Sequence, residues 1–184
     1  MESLQGQLLV ASTKLVDPNF FRTVVLIVRH NEEGAMGMVV NRPAALSVRE
    51  VWEKVNGSDC ETRELLHVGG PCPGPLMALH ERLDLADLEV TPGMYFTADP
   101  ESISQLVSHA NLSVRYFAGY AGWGAGQLEN EIAAGAWHIV DGADQLFAAD
   151  EALWEQLVAH ERRRPGWLID ALGIRHVPPE SSMN

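Results

Sequence analysis

The segment Gly122-Trp123-Gly124-Ala125-Gly126-Gln127-Leu128-Glu129-Asn130-Glu131 gathers more chemistry-capable residues than any other stretch of the chain. Glycines that follow a strand and open a helix let a backbone approach a ligand, and the first helical turn offers unpaired N–H groups. The spacing is not that of a dinucleotide fingerprint, whose third glycine comes later, and no P-loop lysine follows. Glu129 and Glu131 stand two apart, about 200° around a helix, so they do not readily share one metal ion. Two readings stay open: a ligand site through Trp123, Gly124, Gly126, Gln127, Glu129 and Glu131, or a tight strand-to-helix turn with Trp123 plugging the core.

Two further clusters carry possible binding chemistry. In Asn41-Arg42-Pro43, an arginine in a rigid turn can grip a carboxylate or phosphate with two parallel bonds. It can equally clamp the acidic strand ends of its own fold. In Gly69-Gly70-Pro71-Cys72, a cysteine among glycines becomes reactive only beside a cation, a helix N-terminus or a histidine. His67 is the one such group nearby in sequence. The histidines at 30, 67, 80, 109, 138, 160 and 176 show no HExxH or other short metal-ligand spacing. No G-x-S-x-G elbow occurs either. No catalytic residue, metal set or cofactor is therefore assigned, and the candidate ligand-binding residues are Asn41, Arg42, Gly69 and Gly70 with those of the 122–131 segment.

These residues must be positioned by short strands and helices in irregular alternation. Gln7–Ala11, Arg22–His30, Ala35–Val40, Leu65–Val68, Leu76–His80, Val114–Ala121 and Ala136–Val140 have strand composition, and the Asn31–Gly34 turn makes a hairpin of the second and third. Gly69–Pro75 holds too many breakers for regular structure. Ser47-Val48-Arg49-Glu50 is a capping box opening a helix that ends near Asn56-Gly57. Asp99 caps a second helix with Pro100 at its first position and Ile103, Leu106, Val107 and Ala110 on one face. Gln127–Ala134 forms a third helix closed by Gly135. Asp150 caps the last, with Leu153, Trp154, Leu157 and Val158 as its stripe and Pro165 as its stop. Hairpins mixed with crossovers predict one α/β (α+β) domain over residues 1–184, its mixed sheet closing partly on itself.

Composition narrows the partners. The net charge is −12, and residues 61–160 hold 15 acidic side chains against Arg63, Arg82 and Arg115. Such a field repels phosphate backbones, which argues against direct nucleic-acid binding. The cluster Arg162-Arg163-Arg164 reads as a solvated helix end in preference to a phosphate site. The longest apolar run, Val24–Val28, is far short of the roughly 20 residues that span a bilayer. No basic, then apolar, leader is visible at the N-terminus, so the expected location is the cytoplasm. Cys60 and Cys72 form neither a CxxC pair nor a zinc-finger spacing.

Taken in order, several of these residues form a recognisable series. Gly6–Ala11, Asp17-Pro18-Asn19-Phe20 and Val24–Ile27 resemble the opening of the AlgH/YqgE family of largely uncharacterised bacterial proteins. His30-Asn31, Gly34-Ala35-Met36-Gly37 and Asn41-Arg42-Pro43 look like its most distinctive block. Gly69-Gly70-Pro71, Leu79-His80, Gly119–Gly124 and Gly126–Ile132 continue the likeness, as do the regions around Trp137 and Trp154. The resemblance implies a compact α/β fold with a sheet bent into a pseudo-barrel. It also implies a role in regulation, since the family name derives from a link to control of alginate production. It supplies no catalytic residues. Ser12-Thr13 stands where the family often has proline, and Cys72 where valine is usual.

The preferred reading is a non-enzymatic regulatory domain that binds a small molecule or a protein partner. The alternative is an enzyme whose site forms from His30, Arg42, His80, Glu129 and Glu131 meeting across the barrel.

Overall fold

The computed structural model describes residues 2–56, 60–109, 112–141, 147 and 151–161. Val24–Val28 is apolar at every position and β-branched at all but Leu26, which suits a strand covered on both faces. It forms the body of β2 (Val24–Asn31), where these five residues are at most 1% exposed. β2 lies antiparallel between β1 (Leu8–Ala11) and β3 (Gly34–Val39). β10 (Trp137–Val140) flanks β1 on its outer side.

The centre of the sheet is β9 (Val114–Gly124), which pairs with three other strands. Its C-terminal part runs antiparallel to β3. Its N-terminal part takes β5 (Leu65–Val68) in the sheet's parallel pairing on the same edge and β6 (Cys72–His80) on the other. β5 also carries β4 (Pro43–Ser47), and β6 leads on to β8 (Met94–Thr97) and β7 (Leu88–Thr91). The whole is an α+β domain with a mostly antiparallel, unclosed sheet of ten strands. The sheet bends far enough that residues 5 and 6 bridge β2 and the edge strand β7. Gly6 N–H donates to Ile27 O at 2.8 Å, and Gln5 Nε2 donates to Glu89 O at 2.9 Å.

Alternation along β9 divides the interior. Phe117, Ala121 and Trp123 join the larger core around β1–β3, whereas Val114 and Tyr116 face a second core beneath α1 (Val48–Asn56) and α2 (Pro100–Val107). The capping box at Ser47 is made. Ser47 N–H donates to Glu50 Oε2 at 2.8 Å, and Glu50 N–H donates to Ser47 Oγ at 3.3 Å. Asp99 accepts from Ser102 N–H, and Ile103, Leu106 and Val107 are buried. α3 (Gln127–Ala133) is followed by Gly135 at φ 75°. α4 (Leu153–Glu161) buries Leu153 and Trp154, while Leu157 and Val158 pack at its margin. The expected features at Gly57, Ala110, Asp150, Arg162–Arg164, Pro165 and His176 lie outside the described residues.

Several segments depart from the sequence expectation. Gly69–Pro75 is not wholly irregular, because β6 begins at Cys72. Pro73 and Pro75 fall where the ladder to β9 is interrupted between Cys72 and Leu76, and pairing with β8 starts only at Ala78. A missing N–H costs little there. Gly122-Trp123-Gly124 is the end of β9 rather than a turn, held straight by pairing with Gly34–Met36. β4 and the β7–β8 hairpin were not anticipated. The hairpin did have a signal, Pro92-Gly93, with Gly93 at φ 82°.

Candidate functional site

Asn41 and Arg42 follow β3 and reach the loop that leads into β2. The Asn41 amide is 5% exposed and bonds in both directions. Its Oδ1 accepts from Val24 N–H at 2.9 Å, and its Nδ2 donates to Arg22 O at 3.0 Å. The Arg42 guanidinium donates to Asn19 O at 2.6 Å, Phe21 O at 3.0 Å and Pro18 O at 3.3 Å. The structure thus places this arginine on carbonyl groups; burial lowers its pKa, and the nearby Asp17 charge offsets part of that. Together the two side chains fix the loop 18–24 through five hydrogen bonds.

Phe20, in the same loop, enters an aromatic cluster. Its ring stacks on Trp123 at 6.0 Å and meets Trp137 edge-on at 5.4 Å. Both indoles donate to one oxygen, Glu131 Oε2, at 2.9 and 2.8 Å. Gln127 Nε2 donates to Glu131 Oε1, and Gln127 Oε1 accepts from Gly124 N–H. Trp123, Gly124, Gln127 and Glu131 are therefore one joined group, and Trp123 is a core plug. Gly126 enters the helix at φ 72° with open space where a side chain would stand.

Glu129 turns to the other side of α3 and accepts from His30 Nε2 at 2.7 Å. His30 Nδ1 accepts from Leu4 N–H at 3.0 Å. Because Nδ1 is an acceptor here, the ring proton sits on Nε2 and both nitrogens are engaged. A hydrogen bond from its own backbone N–H lowers the Glu129 carboxyl pKa, and the imidazole adds to this.

Gly69 and Gly70 occupy a crossing. The chain leaves β5 on one edge of β9 and begins β6 on the other, so it must pass over β9 at Gly119–Tyr120. A Cβ on Gly69 would lie 2.2 Å from Gly119 O, and one on Gly70 would lie 2.2 Å from the Tyr120 carbonyl carbon. Backbone contact, not a ligand cradle, requires these glycines.

The enzyme constellation does not assemble. His30 and Glu129 meet, but His80 pairs with Val114 while His30 lies one strand away from Trp123, about 30 Å along β9 at 3.3 Å per residue. His80 is fully buried, its Nδ1 accepting from Arg82 N–H. Arg42 serves the loop. Among the described residues no group of three His, Cys, Asp or Glu side chains is placed to hold a metal. Both cysteines are free thiols, Cys60 buried and Cys72 half-buried.

His67 supplies a pH response. Burial, with the Arg115 charge adding to it, pulls its pKa down to about 4. The unfolded chain protonates this ring near 6.5 and the folded chain only near 4, so stability falls as pH drops through that window. The full difference is worth about 3 kcal/mol. Urea denaturation at pH 7.5 and pH 5.0 should show a lower midpoint at pH 5.0, and His67→Asn should shrink that difference.

An open cleft lies where loop 18–24 faces α4. It encloses about 480 Å³ and is lined by Thr13, Phe21, Arg22, Trp154, Glu155 and Val158. Arg22 has φ 56°, the one described non-glycine residue in the left-handed region. Its guanidinium carbon sits 5.4 Å from the Phe21 ring centre and 5.1 Å from that of Trp154. It also pairs with Glu155 at 3.4 Å, with the two side chains 55% and 63% exposed. Such a pair contributes about 0–1 kcal/mol. The Trp154 indole is pinned beneath by donating to Ala11 O at 2.7 Å. Little in the sequence marks this site: a left-handed arginine has no residue signature, and Trp154 reads only as part of an apolar stripe.

The AlgH-like family profile matches residues 8–165. The chain belongs to the AlgH-like family. Among similar proteins, UPF0301 protein CT0663 of Chlorobaculum tepidum is 42% identical over 161 residues, covering 83% of this chain and 84% of that one. A UPF0301 protein of Streptomyces avermitilis is 36% identical, covering 88% and 89%. The solution structure of the AlgH protein from Pseudomonas aeruginosa superposes with a TM-score of 0.74 at 26% identity, covering 96% of each chain. The crystal structure of DIP2367 from Corynebacterium diphtheriae shares the fold, with a TM-score of 0.70 at 23% identity over 90% and 89% of the two chains. No helix of this AlgH-like chain is long and apolar enough to cross a membrane, among the described residues.

Proposed function

We propose that this AlgH-like chain is a non-enzymatic regulatory domain of the cytoplasm that binds a small molecule or a protein partner through its Phe21–Arg22 loop. One observation carries the reading: five hydrogen bonds from Asn41 and Arg42 hold an exposed loop whose tip faces an open cleft. Binding residues are commonly presented this way, on a loop fixed by a rigid scaffold. Gly69 and Gly70 hold the sheet crossing that follows Val68, whose N–H donates to Arg42 O, while Trp123, braced by Glu131 and Gln127, anchors Phe20. They act as positioning residues. The acidic field supports action on transcription through a ligand or protein rather than by touching nucleic acid.

Thermal unfolding against nucleotides, acyl carriers, organic acids and divalent metals tests the reading. A ligand at 100 times its Kd adds about 2.7 kcal/mol, which for this length raises Tm by roughly 5–10 °C. A stabilising compound recovered unchanged supports a binding role. Chemical conversion of any panel member by the purified protein contradicts it.

A further inference from the structure

We infer that the Arg22 cleft is a site for a small organic carboxylate with an apolar body, and that Glu155 is the internal carboxylate such a ligand displaces. The inference rests on the binding role proposed above and names the chemistry of its ligand.

The cation is prepared for an incoming oxyanion. Two rings flank the guanidinium, and among the described residues its one hydrogen bond is from Nη1 to Glu155 Oε1 at 3.4 Å. A planar fork with most of its donors unspent among the described residues suits a carboxylate held by two parallel bonds. Glu155 already presents that group to the arginine, at a distance and exposure that leave it easy to replace. Its position on α4 marks where a ligand carboxylate would sit.

The rest of the cleft selects the body and limits the charge. Phe21, Trp154 and Val158 are apolar, and about 480 Å³ lies within the usual range for small-molecule sites. A second recess of about 390 Å³ continues past Arg22 and Trp154 and is bordered by Glu151 as well as Glu155. With Glu155 on the guanidinium and Glu151 bordering the recess, a phosphate dianion is disfavoured more than a monoanion. The backbone agrees with a fixed purpose for this arginine. Its left-handed φ is an unfavourable conformation for a residue with a side chain, and Asn41 Nδ2 holds its carbonyl in place.

The test is a ¹H–¹⁵N NMR titration of the full chain with benzoate, using benzamide as neutral counterpart and inorganic phosphate as bodiless anion. Benzoate is expected to shift the Trp154 indole and Arg22 amide signals saturably. Benzamide and phosphate should bind at least tenfold more weakly. Arg22→Gln should weaken benzoate at least tenfold with Tm unchanged, and Glu155→Gln should tighten it about threefold or more by removing the competitor. No saturable shift with benzoate, equal binding of phosphate, or unchanged affinity in both variants overturns the inference. Should another compound stabilise wild type and Arg22→Gln equally, the ligand site assigned here fails while the binding role stands. Turnover would remove the binding role itself.

Discussion

Gly69→Ala is expected to abolish stable folding at 37 °C. The new methyl carbon would stand 2.2 Å from Gly119 O and 3.2 Å from Met38 Sδ. The nearer atom is backbone in the central strand, so it cannot rotate away. Relief requires lifting the β5–β6 connection off β9, which breaks the bond from Gly69 N–H to Ala118 O and the one from Val39 N–H to Gly69 O. Overpacking of this kind costs about 1–3 kcal/mol when neighbours can shift, and here two ladder bonds are lost with it. The sum, about 3–5 kcal/mol with each bond at about 1 kcal/mol, reaches the lower end of the stability of an ordinary domain, about 5–15 kcal/mol. Gly126→Ala is the matched control. Its φ of 72° is unfavourable for alanine, but nothing lies within 4 Å of the added carbon, so about 1 kcal/mol is expected. Circular dichroism melting of both variants should separate them widely. A Gly69→Ala protein melting like wild type would mean that the crossing is looser than its backbone distances require.

The second large effect is expected at Asn41. Alanine there removes the partner of Val24 N–H and of Arg22 O together. Val24 is fully buried, and no water can readily replace the amide oxygen at that N–H. The buried Val24 N–H left unsatisfied, with the part-buried bond to Arg22 O lost as well, gives about 3 kcal/mol. The loss should appear as a lower urea midpoint with little change in slope. Asn41→Asp should recover part of it, because a carboxylate can still accept from Val24 N–H but cannot donate to Arg22 O. A surface role for Asn41 would leave the unfolding free energy within about 0.5 kcal/mol of wild type.

Much of the scaffold was legible in the sequence because it depends on neighbours. The apolar run of β2, the Ser47–Glu50 box, Asp99-Pro100 before α2 and Gly135 after α3 all act within a few residues. The wrong or missing parts depend on distant ones. Cys72–Pro75 looked irregular although they open β6, and the reason for the glycines before them, close backbone contact with Gly119, lies fifty residues later. Gly122–Gly124 looked like a turn because glycine weakens strands, and only the pairing with β3 overrides that. Of the candidate site, Trp123 as a core plug and Arg42 as a clamp were weighed from residue types alone. The targets of that clamp were not readable, since carbonyls of a loop carry no sequence identity. His30 and Glu129 are 99 positions apart, and their contact needs the bend of the sheet. The Arg22 cleft stayed hidden for the same reason: its walls come from residues near 20 and near 155.

Arg42 offers the most direct measurement. Hydrogen exchange at Phe20, Phe21 and Thr23, whose N–H groups bond within the loop, should be followed in wild type and Arg42→Gln alongside the benzoate titration. If Arg42 is a clamp that positions the Phe21–Arg22 loop, exchange at these amides should accelerate at least tenfold and benzoate affinity should fall with it. Unchanged exchange with lost affinity would contradict the clamp and make Arg42 itself a ligand group.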